Sequence, residues 1–226
     1  MPEASSLQPP RRYQLLAFDW DGTLADSTGL IAGALQRTCH ELGLDVPDDR
    51  AARHVIGLGH RDSIRYLAPA LEEHHHTRFT ERFGMHYMAG DADIGLYEGV
   101  TEMLDELSRR GFTLGIATGK SQRGLSRALE RLGIARHFTV TRCADQGFPK
   151  PHPDMLLQLM DLAGVEPAQT LMIGDTTHDI ELARNAGVDA VAVAYGAHTP
   201  HGLSGMSPRA TVHSVAELRR WLAAHA

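Results

Sequence analysis

Phe18-Asp19-Trp20-Asp21-Gly22-Thr23-Leu24 is the stretch that decides the fold of this 226-residue chain. The apolar run from Tyr13 to Phe18 predicts a buried strand, so that two carboxylates emerge where the strand ends. Because side chains alternate along an extended chain, Asp19 and Asp21 are expected on one side and Trp20 on the other. Carboxylates this close remain ionised together only when a cation or strong donors lie between them. Taken alone, the stretch is more typical of a strand ending in an Asp-Gly turn with solvated acids.

The composition is that of an ordinary globular chain, with 42% hydrophobic and 22% charged residues. A formal net charge of −6 predicts neither a nucleic-acid partner nor an anionic membrane partner. Cys39 and Cys143 are far apart and lie in no metal-binding spacing, which predicts a reducing, cytoplasmic setting. No apolar run reaches the length needed to span a membrane. The oligomeric state is left open.

The run His74-His75-His76 invites a metal-site interpretation, since the chain has 14 histidines. Consecutive helical residues point about 100° apart, so three in a row do not converge on one ion. We therefore expect a solvated helix face at this run rather than a metal site.

Strands that alternate with helices predict an α/β fold with a parallel sheet and helices on both faces. The predicted strands are 13–18, 112–117, 137–141, 170–173 and 190–194. The predicted helices of this alternating part are 101–110, 121–132, 154–163, 177–186 and 215–225. Between Asp26 and Asp93 the chain has helical periodicity only, at 27–42, 48–54, 61–67 and 69–88, which indicates an all-α insertion. The predicted division is a flexible tail at 1–12, a core at 13–26 and 96–226, and a helical insertion at 27–95.

Four polar clusters follow predicted strands or lie in loops beside them: Asp19 and Asp21; Thr118 and Gly119; Lys150; and Asp175 and Asp179. Because the carboxyl ends of parallel strands meet at one edge of a sheet, we expect the four clusters to converge. Three carboxylates at such a point form a hard, oxygen-only site that suits Mg²⁺. Each member also has an ordinary interpretation: Thr118 as a helix N-cap, Lys150 as a solvated loop residue, and Asp175 and Asp179 as a strand-end turn and an exposed helix turn.

In this order, the four clusters resemble the motifs of the haloacid dehalogenase-like phosphohydrolases. The first motif, D-x-D-G-T-[LV], is matched by Asp19 to Leu24, and the last, G-D-x-x-x-D, by Gly174 to Asp179. Thr118 matches the second motif, and Lys150 the third. The helical insertion is similar to the small cap of that family. Further details resemble the phosphoglycolate phosphatase-like branch: Asp26-Ser27, Gly57-Leu58-Gly59, Ala117 to Ser121 and Lys150 to Pro153.

The resemblance implies a Rossmann-like core and a phosphomonoesterase mechanism. Asp19 would attack phosphorus to give an aspartyl-phosphate, and an ionised carboxylate needs no base to activate it. Asp21 would protonate the leaving alcohol and later deprotonate the hydrolytic water, and the neighbouring negative charges favour the proton it must carry at the first step.

The resemblance also implies Mg²⁺ as the cofactor, held by the Asp19 side chain, the Asp21 backbone carbonyl and Asp175. Asp179 would be a further ligand or would orient Lys150. Thr118, Lys150 and backbone amides such as that of Gly119 would hold the phosphoryl oxygens.

The cap is expected to select the leaving group, because the core contacts only phosphate. The predicted substrate is a small phosphorylated metabolite, with phosphoglycolate first. Cationic candidates for an anionic substrate tail are Arg53, His54, His60, Arg61 and Arg65, and solvated surface charges are an equally good interpretation of each. Opening and closing would hinge near 26–27 and 95–99.

Two alternatives remain open. One is a sugar-phosphate mutase, in which the aspartyl-phosphate passes to a sugar hydroxyl because the cap excludes water. The other is a phospho-acceptor signalling domain, which is disfavoured because the acidic pair opens the sheet and the insertion follows at once. The run Gly115 to Ser121 is one residue short of a phosphate-cradling G-x-x-x-x-G-K-[ST] loop, so a nucleotide kinase is disfavoured too. Pro149 departs from the small residues that are commoner at this place in the resembled family.

Overall fold

The fold is built outward from a short central strand whose residues are all buried. The computed structural model describes residues 12–226, so that the predicted tail lies outside the described residues except for Arg12. Six parallel strands form one sheet in the order β3-β2-β1-β4-β5-β6. They are β1 (Leu15–Phe18), β2 (Thr113–Thr118), β3 (Phe138–Cys143), β4 (Thr170–Gly174), β5 (Asp189–Val193) and β6 (Ala210–Val212). The strand order reverses at β1, which is where ligand sites form in sheets of this kind.

The register brings the carboxyl ends of the three central strands level with one another. Phe18 pairs with Ile116 of β2 and with Ile173 of β4. The next amide, that of Asp19, donates to the carbonyl of Ile173 at 2.8 Å, so that the chain is still held by the sheet at the first acidic residue. The polar residues that follow these strands therefore lie at one edge of the sheet.

Both faces of the sheet are buried, as the unbroken apolar runs predict. Leu16 and Phe18 belong to one apolar cluster, and Leu15 and Ala17 belong to a second cluster on the other face. This alternation is the two-residue period of a strand.

Four helices follow β1 before the sheet resumes, and they form an inserted all-α cap. They are α1 (Thr28–Glu41), α2 (Asp49–His54), α3 (His60–Leu67) and α4 (His76–Met88). The chain leaves and returns at adjacent points, because the Asp26 amide donates to the Gly95 carbonyl at 3.0 Å and the Tyr97 amide to the Leu24 carbonyl at 3.0 Å. The domain limits at 27 and 95 stay a prediction.

The remaining helices cover the two faces of the sheet. They are α5 (Val100–Arg109), α6 (Gln122–Arg131), α7 (Asp154–Ala163), α8 (Thr177–Asn185), α9 (Pro200–Gly205) and α10 (Val215–His225). Buried residues of α5, α6 and α10 join the cluster of Phe18, whereas those of α7, α8 and α9 join the cluster of Leu15. No helix among residues 12–226 is long and apolar enough to cross a membrane.

Two details differ from the sequence predictions. The predicted helix over 69–88 begins only at His76, because Glu73–His75 forms a separate 3-10 turn. His74 and His75 are exposed there, and neither belongs to a cluster of potential metal ligands among the described residues. The strand near 190–194 is not the last one, since α9 and β6 follow it. A six-residue helix and a three-residue edge strand are too short to give a clear hydrophobic period.

Candidate active site

Asp19 lies directly past β1, with a side chain that is almost completely buried. Its Oδ1 accepts a hydrogen bond from Lys150 Nζ at 2.6 Å, whereas its Oδ2 has no hydrogen-bond partner among the described residues. Burial raises the pKa of Asp19 to about 7, although Lys150 opposes the shift. A buried carboxylate oxygen without a donor is costly, and a cation or a ligand at this oxygen would remove that cost.

Lys150 occupies the opposite side of this carboxylate and is completely buried. Its Nζ donates to Asp19 Oδ1 and to Asp179 Oδ1, both at 2.6 Å. Burial disfavours the charged ammonium, but the Asp179 and Asp19 carboxylates outweigh it and raise the pKa of Lys150. The lysine is therefore a fixed positive charge in the site, and the structure excludes the interpretation as a solvated loop residue.

Asp179 is the third residue of α8, and both of its oxygens already have partners. Oδ1 accepts from Lys150, while Oδ2 accepts from the Thr176 amide at 3.0 Å and from the Thr176 hydroxyl at 2.7 Å. Thr176 caps α8, so the start of the helix fixes this carboxylate. Burial alone would raise the pKa of Asp179, but Lys150 and Thr176 lower it, which keeps the carboxylate ionised.

Asp175 lies at the turn between β4 and α8 and is also completely buried. Its Oδ1 accepts from the Thr23 hydroxyl at 2.9 Å, and its Oδ2 accepts from the Ala197 amide at 2.7 Å. Each carboxylate oxygen retains a second lone pair. Burial and the Asp19 charge raise the pKa of Asp175 well above its usual range.

The charges of this cluster are not balanced by the protein. Carboxylate oxygens of Asp19, Asp175 and Asp179 lie within 4.8 Å of one another, and Lys150 supplies the one ammonium that contacts them among residues 12–226. When all three carboxylates are ionised, three negative charges against one positive charge leave an excess of two. A hard divalent cation fits both this excess and the oxygen-only ligand set.

The Asp21 side chain is directed to other partners than this cluster. Its Oδ1 accepts from the Ser27 hydroxyl at 2.7 Å, and Lys120 Nζ lies 3.6 Å away. Of the predicted metal ligands, Asp21 is thus the one whose carboxylate is engaged elsewhere, and its backbone carbonyl is the group left for an ion. Ser27 occupies the N-cap position of α1 without capping it, because its hydroxyl is used by Asp21.

Thr118 and Gly119 end β2 beside this cluster. The Thr118 hydroxyl accepts from the Lys120 amide at 3.1 Å, and Ser121 rather than Thr118 caps α6. Gly119 lies against the cap: a Cβ built on it would be 2.9 Å from the carbonyl oxygen of Gly57. The predicted phosphate-binding loop therefore directly contacts the Gly57-Leu58-Gly59 turn of the cap.

A cavity of about 370 Å³ separates the acidic edge of the sheet from the cap helices. Its core wall includes Asp19, Asp21, Thr118 and Gly119, so the structure brings these predicted residues around one space. Lys120 joins them, and its Nζ donates to the Tyr87 hydroxyl of α4 at 2.6 Å. This bond connects the cap to the surroundings of Asp21.

The cationic candidates of the cap are mostly absent from this cavity. Arg53 pairs with Asp49 and donates to the Thr28 hydroxyl, Arg61 pairs with Glu73, and Arg65 is exposed. Of the five, His60 alone lines the cavity among the described residues. Desolvation lowers the pKa of its imidazole, so that the ring is neutral at neutral pH.

A second link between core and cap is built from His178 and His198, which the sequence did not assign to the site. His178 Nε2 and His198 Nε2 lie 2.8 and 3.1 Å from the His54 carbonyl oxygen at the end of α2. His198 Nδ1 accepts from the Thr177 amide at 3.0 Å, so its Nε2 carries the proton and donates. The three rings lie close enough for a metal ion, but both nitrogens of His198 are already engaged.

Sequence reasoning missed the residues that hold the acidic side chains in place: Thr23, Ser27, Thr176, Lys120, Tyr87 and Ala197. Thr176 is next to Asp175 and Thr23 is two residues after Asp21, and a hydroxyl this close to a buried carboxylate is the signal that could have found them. Ser27 lies six residues after Asp21. Tyr87 and Ala197 come from remote segments, and no local pattern indicates them.

Comparison with known proteins gives one consistent result. Residues 16–193 match the family described as "Haloacid dehalogenase-like hydrolase". The chain is 34% identical over 209 residues to "Probable phosphatase IndB" of Dickeya dadantii, with 90% of this chain and 91% of that protein covered. It is 34% identical to "Phosphoglycolate phosphatase" of Agrobacterium fabrum, with 80% and 81% covered. A solved haloacid dehalogenase-like hydrolase from Streptococcus pneumoniae superposes with a TM-score of 0.80 at 27% identity, covering 93% of this chain and 98% of that one.

Proposed function

Because the chain belongs to the haloacid dehalogenase-like hydrolase family, as its motifs predicted, we propose that it is a Mg²⁺-dependent phosphomonoesterase acting through an aspartyl-phosphate. The observation that carries the proposal is the Asp19 carboxylate, which has one oxygen held by Lys150 and one oxygen to which no described residue donates. It lines a cavity together with Asp21, Thr118 and Gly119, which offer a proton donor and phosphate-binding groups.

Asp19 is the nucleophile in this proposal. The bond to Lys150 fixes the carboxylate, so that little orientational entropy remains to be lost when a phosphate ester binds. Attack of Asp19 on phosphorus forms the Asp–O–P bond and breaks the bond to the leaving alcohol. Water then attacks the phosphorus of the aspartyl-phosphate, which regenerates the carboxylate and releases inorganic phosphate.

Asp21 donates the proton to the leaving alcohol and takes a proton from the attacking water. The Ser27 hydroxyl and the Lys120 ammonium orient its carboxylate, and it remains partly accessible from the cavity. A single carboxyl group serves both half-reactions, because the first step leaves it ionised and ready to act as the base of the second.

The unbalanced carboxylates of Asp19 and Asp175, together with the Asp21 backbone carbonyl, would hold Mg²⁺. When bound, the ion offsets the repulsion between an anionic nucleophile and an anionic ester. Asp179 is assigned to orient Lys150 rather than to bind the ion, since its Oδ1 accepts from the Lys150 ammonium and Thr176 donates twice to its Oδ2. Lys150, the Thr118 hydroxyl and the Gly119 amide hold the phosphoryl oxygens.

Phosphate release from p-nitrophenyl phosphate, with and without Mg²⁺, tests the reaction class. The wild-type chain should turn over with Mg²⁺ and stop with a chelator, and Asp19→Asn should lose at least about a thousandfold in kcat. Turnover by Asp19→Asn at the wild-type rate would refute the proposal. Accumulation of phosphoprotein in the wild type without turnover would favour a phospho-acceptor domain instead.

Asp21→Asn separates the two half-reactions. p-Nitrophenol leaves without a proton donor, so this variant should form the aspartyl-phosphate and then stall for want of a base. The expected result is a stoichiometric burst of p-nitrophenol, with phosphorylated Asp19 detected by mass spectrometry of acid-quenched protein. Steady turnover at the wild-type rate would contradict the assigned role of Asp21.

A further inference from the structure

The cavity carries information on the leaving group, which neither the family nor the catalytic residues specify. We propose that the substrate is a phosphomonoester of an apolar alcohol, an aryl or medium-chain alkyl phosphate, whose hydrocarbon part fills the cap side of the cavity. The proposal rests on the phosphomonoesterase function and goes beyond it by committing to the class of alcohol.

The cap side of the cavity is mostly hydrocarbon, with His60, Ser63 and Thr80 as polar members of its wall. Among the described residues, it is walled by aliphatic side chains of α1 and α3, such as Ile31, Leu35 and Ile64, and by the aromatic rings of Phe79, Phe83 and Tyr87 on α4. No carboxylate, lysine or arginine of the described chain lies on this cap-side wall. An apolar lining with a few polar groups at one end is the usual composition of a small-molecule site.

The cations at the cavity are committed to other groups or lie on its exposed part. Lys120 contacts Asp21 and the Tyr87 hydroxyl, and Arg127 pairs with Asp91 at 2.9 Å. Arg123 is exposed. A carboxylate on the leaving group, as in phosphoglycolate, would face mostly apolar side chains wherever it entered the cap side of the cavity, which is unfavourable.

The volume of the cavity also favours an apolar leaving group of more than two carbons. A volume of about 370 Å³ corresponds to about a dozen waters at roughly 30 Å³ each. A two-carbon leaving group would leave much of this space filled with water against apolar walls. An aryl or longer alkyl group would displace that water and gain the hydrophobic contribution of the contact.

Gly84 provides a direct probe of this space. It lies on α4 in the cavity wall, and a Cβ built on it meets no atom within 4 Å. Gly84→Leu should therefore project into the cavity without strain, and the loss of a helical glycine favours folding. Gly29 is a matched control: it is an exposed glycine of α1 with the same free surroundings, and it does not line the cavity.

The experiment measures kcat/KM with Mg²⁺ for a series of n-alkyl phosphates from ethyl to octyl, for 1-naphthyl phosphate and for 2-phosphoglycolate. In the wild type, kcat/KM should rise roughly fourfold per added methylene until the cavity is full. Gly84→Leu should shift the maximum of kcat/KM to shorter alkyl chains. It should reduce kcat/KM for 1-naphthyl phosphate at least about tenfold and leave kcat/KM for ethyl phosphate unchanged. Gly29→Leu should follow the wild-type profile.

Two outcomes overturn the inference in distinguishable ways. Efficient phosphate release with a flat chain-length profile, or with 2-phosphoglycolate preferred, would refute the apolar leaving group and leave the phosphomonoesterase intact. No release from any ester would refute the proposed function itself. Binding of 1-naphthyl phosphate to Asp19→Asn, measured by calorimetry, adds a readout besides activity: the affinity should exceed that for ethyl phosphate and should fall in the Gly84→Leu background.

Discussion

Lys150 is the residue on which the charge balance of the acidic cluster depends. It is buried between Asp19 and Asp179, and a third carboxylate, Asp175, lies beside them. Buried ion pairs contribute modestly when intact, but removal of one partner leaves an uncompensated charge. The lysine therefore has a structural role as well as its proposed role at the phosphoryl group.

Lys150→Met keeps the length of the side chain and removes its charge. The free energy of unfolding in the presence of a chelator should fall by about 3–5 kcal/mol, measured by urea denaturation near neutral pH. Lys120→Met is the control, because Lys120 lies 3.6 Å from an Asp21 side chain that keeps its bond to Ser27. Lys120→Met should lower the free energy of unfolding by about 1 kcal/mol. Equal urea midpoints for wild type and Lys150→Met would contradict this account.

At this scale, sequence alone predicted that these acids, the threonine and the lysine lie at one edge of the sheet, since they follow apolar runs or lie in loops beside them. It did not predict how they are held. Thr23 lies 152 residues from Asp175, and Tyr87 lies 33 residues before Lys120. Contacts over such separations are made by the tertiary fold, and no local period encodes them.

Helix α8 connects the acidic cluster to the cap. Its first turn carries Asp179, which binds Lys150, and His178, which donates to the His54 carbonyl of α2. Because the two side chains are consecutive, one short helix contacts both the catalytic edge and the cap. The His54 carbonyl also accepts from His198, so two core donors converge on a single cap acceptor.

His178→Phe removes one of these donors and keeps an aromatic ring of similar shape. Loss of a neutral hydrogen bond of about 1 kcal/mol should make the cap open about fivefold more often. Amides of α2 should then exchange about fivefold faster in hydrogen–deuterium exchange, whereas those of α5, on the sheet, should not change. His178→Gln, which retains an N–H donor, should restore most of the protection. Unchanged exchange of α2 in His178→Phe would show that this bond does not hold the cap.

Element prediction succeeded where the hydrophobic period extends over a whole strand or helix, as in β1 and α10. It was wrong where tertiary contacts decide. In the predicted helix over 69–88, residues 69–72 are not helical and Glu73–His75 is a separate 3-10 turn. β6 is an edge strand that pairs with β5 through three residues. Edge strands this short are specified by their neighbour rather than by their own sequence.

At the scale of the whole molecule, the acidic cluster couples stability to pH and to divalent ions. In the metal-free chain, burial raises the pKa of Asp19 from its ordinary 3.8 to about 7, and Asp175 shifts in the same direction. The folded state thus holds a proton that the unfolded state releases. The stability from this proton is fully present below about pH 3.8 and is lost as the pH rises through about 7.

Buried histidines have the opposite effect on the pH dependence of stability. Desolvation lowers the pKa of His198 from 6.5 to about 4, so its contribution to stability is present above about pH 6.5 and is lost as the pH falls toward 4. The pH profile of the metal-free chain alone therefore mixes two opposing effects. The difference between melting temperatures with and without Mg²⁺ isolates the acidic cluster, because the histidine contribution is common to both measurements.

Mg²⁺ should raise the melting temperature by several degrees at about pH 8 and by much less at about pH 5.5, where a proton on Asp19 competes with the ion. Below about pH 7, each decrease of one pH unit should weaken the apparent Mg²⁺ affinity roughly tenfold for each proton that the ion displaces. Asp19→Asn removes the competing proton, so the rise in its melting temperature caused by Mg²⁺ should be smaller than in the wild type and should depend less on pH. If Mg²⁺ raised the melting temperature of the wild type equally at both pH values, the ion would not bind at Asp19. The inference that the excess negative charge of this cluster binds a divalent cation would then be wrong.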